Sequence, residues 1–287
     1  MAGRPRTVNG GRSVVSEGRP TLIWEVFMAH EIALVTGASS GIGEALARRI
    51  ARDGRHLVLV ARRADRLDTL ARELKDAHGV TAHVIAKDLV KPAAVRELLD
   101  EVRRRGLSVD WLVNNAGFGT MGRIDQVPVE GELDEIRLNV EVLVELTGRC
   151  LPAMVARKAG VVMNIASMGA FAPGPYMATY AATKAFVLSF SEGIAAELGG
   201  TGVQVLCVCP GFTRTEFQEK AAVDVSGVPG FAWMSADAVA DQAVRAVGRG
   251  PVLVNGAMNN VMTAALRFVP RGMVARAVSM FLKPREA

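Results

Sequence analysis

Both tyrosines of the 287-residue chain stand in the stretch YMATYAATKAF, at positions 176 and 180, and a lysine follows at 184. Residues four apart on a helix share a face. Tyr180 has Lys184 at that distance. Tyr176 follows Pro175 and precedes the helix, outside this geometry, so it is expected to line a substrate entrance or simply to pack. A phenol ionises near pH ~10, and an acid/base role close to neutrality requires a shift of about 3 units, or about 4 kcal/mol. An ammonium about 4 Å away, at an effective dielectric near 20, supplies about 4 kcal/mol. The spacing places Lys184 to tune the Tyr180 phenol; the plain alternative is a surface lysine.

A second stretch, TGASSGIGEAL, carries Gly37, Ser39, Ser40, Gly41, Ile42 and Gly43 between an apolar run and a helical pattern. Glycines let the backbone turn tightly against a diphosphate, and the helix start offers free N–H groups and the positive end of its dipole. That context predicts dinucleotide binding. A free ribose 2′-hydroxyl calls for an acid at the end of the next strand. The chain places Arg62 and Arg63 there instead, and a guanidinium fork matches a 2′-phosphate. NADP(H) is therefore favoured over NAD(H). Asp88, closing the third strand, is placed either to accept from the adenine amino group or to cap the helix after Pro92.

These residues need a frame that holds them at one edge. EIALVTG, HLVLVARR, TAHVIAKDL, SVDWLVNNAG, GVVMNIAS and GVQVLCVCPG are short apolar runs, and PVLVN at 251–255 is a seventh. Helical patterns separate them, one long segment running from Val127 to Lys158. Strands apolar on both faces, alternating with helices, imply a parallel sheet covered on both sides. Right-handed crossovers make this a single-domain doubly wound α/β fold of about seven strands, which binds ligands at the carboxyl ends of its strands. Ser167 falls at such an end, where its hydroxyl can bond a carbonyl oxygen or cap a turn.

TGASSGIG, NNAG at 114–117, Asn139, Ser167, Tyr180 with Lys184, and Pro210-Gly211 with Thr213 together resemble the short-chain dehydrogenase/reductase family over roughly residues 30–255. VARRADRL, YAATKAFVLSF and CPGFTRTEF look most like its bacterial NADP-dependent ketoacyl reductase-like members. The resemblance implies that Tyr180 gives a proton to a carbonyl as nicotinamide gives a hydride, or the reverse. It implies that Lys184 tunes the tyrosine and holds the ribose, and that Asn139 helps hold a relay water; a plain helix kink is the alternative for Asn139. Asn114, Ala116 and Gly117 are assigned to the cofactor side, Asn114 as a brace. Pro210 and Gly211 turn toward the nicotinamide amide, and Thr213 reaches a phosphate. The family pairs such helices into dimers or tetramers, and Ala181, Ala182, Ala185 and Gly193 are small enough for close contact.

Composition limits the rest. Half the residues are hydrophobic and 22% are charged, which excludes a wholly disordered chain. The net charge of +5 resides at the ends: residues 31–255 balance to −1, so no basic body face for nucleic acid is expected. Cys150, Cys207 and Cys209 lack metal-ligand spacing, no metal is expected, and they fit a reducing, cytoplasmic setting. Residues 1–27 read as a disordered leader, with Met28 as a possible natural start, and 28–256 as the catalytic domain. Residues 212–234, apolar and interrupted by Gly and Pro, read as a substrate lid. With Phe118 and Met121 they imply an apolar substrate. A 3-oxoacyl thioester, free or carrier-bound through Arg214, is favoured over a steroid, retinoid or xenobiotic ketone. Residues 257–287 form a basic amphipathic extension that packs on the domain or a partner subunit, lies on a membrane surface, or is a flexible tail. The competing class is a catalytically silent NADP-binding regulator.

Overall fold

The computed structural model describes Met1, Gly3 and residues 31–281. Otherwise the leader, Met28 and Lys283 lie outside the described residues. In chain order the elements are β1 (Ile32–Thr36), α1 (Gly41–Ala51), β2 (His56–Ala61), α2 (Ala64–His78), β3 (Ala82–Ala86), α3 (Ala94–Arg104) and β4 (Trp111–Asn114). Next come α4 (Val129–Ile136), a π-helical turn (Arg137–Glu141), α5 (Val142–Ala156), β5 (Gly160–Ile165), α6 (Ala178–Glu197) and β6 (Val203–Cys209). The chain continues with β7 (Thr213–Arg214), α7 (Phe217–Lys220), β8 (Met234–Ser235), α8 (Ala236–Ala246), β9 (Val252–Val254), α9 (Ala257–Leu266) and α10 (Arg271–Phe281).

Seven strands form one parallel sheet in the order β3-β2-β1-β4-β5-β6-β9. Successive side chains of a strand point to opposite faces, and β1 shows why its run is apolar throughout. Ala33 and Val35 join Leu57, Leu59, Leu46 and Ile50 on the side of α1, α2 and α8. Leu34 joins Val58, Val60, Leu112 and Leu98 on the side of α3 and α5. All of these are fully buried, and each large aliphatic chain contributes on the order of 1.5–3 kcal/mol by leaving water. The strand order reverses between β1 and β4, which opens a crevice at their carboxyl ends. The loops after β1, β2, β4, β5 and β6 and the first two turns of α6 bring most of the candidate residues to one cavity.

The long segment after β4 is not one uniform helix. A π turn with Asn139 at its centre separates α4 from α5; such turns interrupt the regular ladder and re-aim side chains. The expected lid is tied at its base by β7 and β8, which pair in parallel through Thr213 with Met234 and Arg214 with Ser235.

Candidate active site

The first turn is held by residues from a neighbouring strand. Gly37 has φ of +68°, and a Cβ there would lie 2.7 Å from Asn115 Nδ2. A Cβ on Gly43 would lie 2.4 Å from the Gly37 carbonyl oxygen, so α1 starts in direct contact with the turn. The Asn115 amide donates to Thr36 O at 2.9 Å, and the Thr36 hydroxyl accepts from Asn115 N and Ala116 N at 3.0 Å. No side chain caps the N-terminus of α1, which leaves its first amides for a ligand. Gly37, Ser39, Ser40, Gly41, Ile42, Ala116 and Gly117 line a cavity of about 750 Å³. This cradle fits a dinucleotide diphosphate.

Two residues assigned to the cofactor side lie off the cavity wall and brace it from behind. Asn114 does not reach the cavity: its amide donates to Thr147 Oγ1 at 3.0 Å and Asn164 Oδ1 at 2.9 Å, behind the strand. Alternation turns Asn115 toward the glycine turn and Asn114 away from it. Gly43 likewise lies off the wall and serves the close approach of helix and turn.

Ser167, Tyr180, Lys184, Pro210, Gly211 and Thr213 share the same cavity. Ser167 follows β5; its hydroxyl accepts from Gly169 N at 3.1 Å, capping a short 3-10 turn while keeping its own proton to donate. Tyr180 and Lys184 lie one turn apart on α6. The Lys184 ammonium donates to Ile165 O at 2.8 Å and lies 5.7 Å from the Tyr180 ring centroid. Lys184 does not depress Tyr180 in this chain on its own. Burial pushes the phenol up to about 12, the Ser167 hydroxyl pulls it down, and Glu135 adds to the rise. The same burial lowers Lys184 to about 8.

Asn139 braces the loop after β4. Its amide donates to Phe118 O at 2.9 Å and Thr183 Oγ1 at 3.1 Å, and its carbonyl oxygen accepts from Phe118 N at 3.2 Å. It lies off the cavity wall, tying the loop after β4 to the residue before Lys184. Glu135, which the sequence did not single out, completes this brace. It is fully buried, and its Oε2 accepts from Thr120 N and Thr120 Oγ1, both at 2.9 Å. Glu132 shares that hydroxyl, and Glu135 Oε1 has no hydrogen-bond partner. Burial is the main cause that raises Glu135 to about 7. The braced loop sets Gly119 against the catalytic candidate: a Cβ there would lie 2.9 Å from Tyr180 Cδ2.

On the adenosine side, Arg62 is exposed on the wall. Arg63 donates through Nη2 to Ser40 Oγ at 2.8 Å and through Nε to Ser39 Oγ at 3.2 Å, and it meets Glu216 at 2.9 Å. Asp88 accepts from Val90 N at 3.3 Å and so shapes a local turn; α3 starts after Ala93 with no side-chain cap, so the capping alternative is not realised. The Thr213 hydroxyl donates to Gly211 O at 3.0 Å.

The first half of the lid, with Phe212, Thr215, Phe217 and Val223, faces the cavity; Val228, Phe231 and Trp233 do not. Phe217 lies 5.2 Å from the Tyr180 ring, and Met121 packs in the same cluster. Tyr176 is off the cavity wall, at φ of +64°, because its carbonyl is drawn to Gly122 N at 2.8 Å. The C-terminal segment supplies Met262, Leu266, Val274 and Val278 to the wall. Among the described residues no group of His, Cys, Asp and Glu could hold a metal.

Comparison with known proteins agrees with this fold. The family model for short chain dehydrogenases matches residues 31–225. A sulfoacetaldehyde reductase 2 from Chromohalobacter salexigens is 38% identical over 65% of this chain and 74% of its own length. A very-long-chain 3-oxoacyl-CoA reductase from Anas platyrhynchos is 34% identical over 65% of this chain and 61% of its own. The solved short-chain dehydrogenase from Sphingobium yanoikuyae in complex with NADPH superposes with a TM-score of 0.75 and 35% identity, covering 90% of this chain and 98% of that one. The chain therefore belongs to the short-chain dehydrogenases, a family of oxidoreductases.

Proposed function

We propose that the chain reduces a ketone on an apolar substrate to a secondary alcohol with NADPH, or runs the reverse oxidation. The observation that carries this reading is one cavity wall shared by the glycine turn, Ser167, Tyr180 and Lys184. When bound, NADPH supplies the hydride. Gly37, Ser39, Ser40, Gly41 and Ile42 hold the diphosphate and adenosine side, with Arg62 and Arg63 reading the 2′-phosphate. Ala116, Gly117, Pro210, Gly211 and Thr213 border the rest of the dinucleotide. Ser167 donates to the carbonyl oxygen, and Tyr180 delivers the proton. A phenol raised to about 12 is held protonated at neutral pH, the state that a proton donor needs. Lys184 holds the ribose, and Asn139 keeps Lys184 and the loop after β4 in place.

The relatives at similar identity are named for very different substrates, one a small sulfonate and the other a long acyl chain, so the wall must decide. Met177 and Phe217 pack with Tyr180, and Phe212, Phe118, Met262 and Val278 line the same cavity, which favours a long apolar group. A 3-oxoacyl thioester is the leading substrate. Arg214, 5.5 Å from the Trp233 ring, supplies a cation for an acyl carrier. Exposed Leu133, Ile136, Val144 and Phe186 on α4, α5 and α6 favour pairing of two copies through these helices. No described helix is long and apolar enough to cross a membrane. Exposed Met258, Val261, Phe268 and Met273, beside Arg267, Arg271 and Arg276, favour contact with an anionic membrane face in the cytoplasm.

The purified protein should oxidise NADPH in preference to NADH with acetoacetyl and long-chain 3-oxoacyl thioesters. Absence of turnover across acyl, steroid and xenobiotic ketones, with NADPH bound, would leave the silent-regulator reading instead.

A further inference from the structure

One ion-pair cluster bridges the lid and the adenosine side of the cavity. The Glu216 carboxylate, just ahead of α7, meets Arg63 at 2.9 Å, Arg66, and Lys220 at 2.6 Å. These cations hold it well below the usual carboxylate range. Arg63 and Arg66 belong to the start of α2, whereas Lys220 rides on the lid with Glu216. Arg63 Nε and Nη2 donate to the Ser39 and Ser40 hydroxyls. The guanidinium is thus clamped between the glycine turn and a lid carboxylate, and Glu216 itself lines the cavity.

A phosphate monoester carries about −1.5 to −2 charges near neutrality. Arriving beside Ser39 and Arg63, it competes for the guanidinium that Glu216 holds and repels the carboxylate. Glu216 leaves without stranding its charge, since Lys220 moves with it. We propose that Glu216 is the residue through which the lid senses the cofactor's 2′-phosphate. The phosphate displaces it from Arg63 and Arg66 and frees residues 215–223 to admit substrate, whereas a dinucleotide lacking that phosphate leaves the lid latched. The inference rests on the NADP(H) reading above and adds a specificity-determining residue that lies outside the glycine turn and the β2 end.

The test uses the full chain with 2′,5′-ADP and 5′-AMP as probes, hydrogen–deuterium exchange of lid peptides as readout, and calorimetry for affinity. Saturating 2′,5′-ADP should speed exchange over 213–223 by about 3- to 10-fold, the loss of two partly exposed ion pairs, while 5′-AMP should not. Glu216→Gln should exchange quickly without ligand and bind 2′,5′-ADP about 3- to 10-fold more tightly, with 5′-AMP affinity unchanged within about twofold. Arg66→Met, which removes one body contact, should loosen the lid part of the way. If 2′,5′-ADP binds more tightly than 5′-AMP yet the lid stays protected, or Glu216→Gln shifts both affinities alike, the latch is wrong and the cofactor reading stands. If 2′,5′-ADP binds no better than 5′-AMP to the wild type, both fall.

Discussion

Glu135→Gln should make the protein more stable at pH 8 and leave it nearly unchanged at pH 5. Glu135 is fully buried, bonded only to Thr120, and shares that hydroxyl with Glu132; Lys184 and Tyr180 on α6 are the other titratable groups that act on it or feel it. Its pKa rises from 4.5 to about 7 on folding. At low pH the carboxyl is protonated folded and unfolded, so it imposes no penalty. Between about 4.5 and 7 the folded state keeps a proton that the unfolded chain releases, and stability falls as pH rises. At 1.36 kcal/mol per unit, the full loss is about 3 kcal/mol above pH 7. Glutamine is isosteric and uncharged, so it escapes that loss but weakens the bond to Thr120 N by about 1 kcal/mol. The net gain is about 2 kcal/mol at pH 8. Urea unfolding of both proteins at pH 5, 6, 7 and 8 measures it. A gap that ignores pH, or a variant less stable at pH 8, would refute the argument that burial dominates this carboxyl.

Gly43→Ala should destabilise the fold by about 1–3 kcal/mol or more, because the new methyl meets the Gly37 carbonyl carbon and oxygen, which are backbone; thermal unfolding and NADPH titration should both show the damage, and an unaffected variant would contradict the turn geometry. The full-length protein should sediment with anionic vesicles, and Phe268→Asp, at an 88% exposed site, should weaken that binding about 10-fold; indifference to anionic vesicles would remove the membrane contact.

The sheet was legible because each strand is apolar on both faces, a pattern that only a doubly covered sheet requires, and the seven apolar runs mark its seven strands. The glycine turn was legible from its place between β1 and α1. The Tyr180–Lys184 spacing fixed a shared helix face but not the electrostatics, since a spacing says nothing of how much water the fold removes. Asn114 and Asn115 are adjacent in sequence, and which one faces the turn depends on where β4 ends. Glu135 is one of several acids in α4, and nothing in their own pattern singles it out. Its position one turn before Asn139 was the available signal that it faces inward. The Glu216–Arg63 pair spans 153 residues, and the walls supplied by α9 and α10 depend on contacts of similar reach, which local patterns do not encode.

The claim on which the account depends is that the Tyr180 hydroxyl gives the proton that accompanies reduction. Tyr180→Phe removes one oxygen and keeps the ring against Phe217 and Gly119. Measured with a turned-over 3-oxoacyl thioester, the variant should bind NADPH as the wild type does and lose about 10²–10⁴-fold in kcat. A variant that reduces the ketone at the wild-type rate would contradict the account.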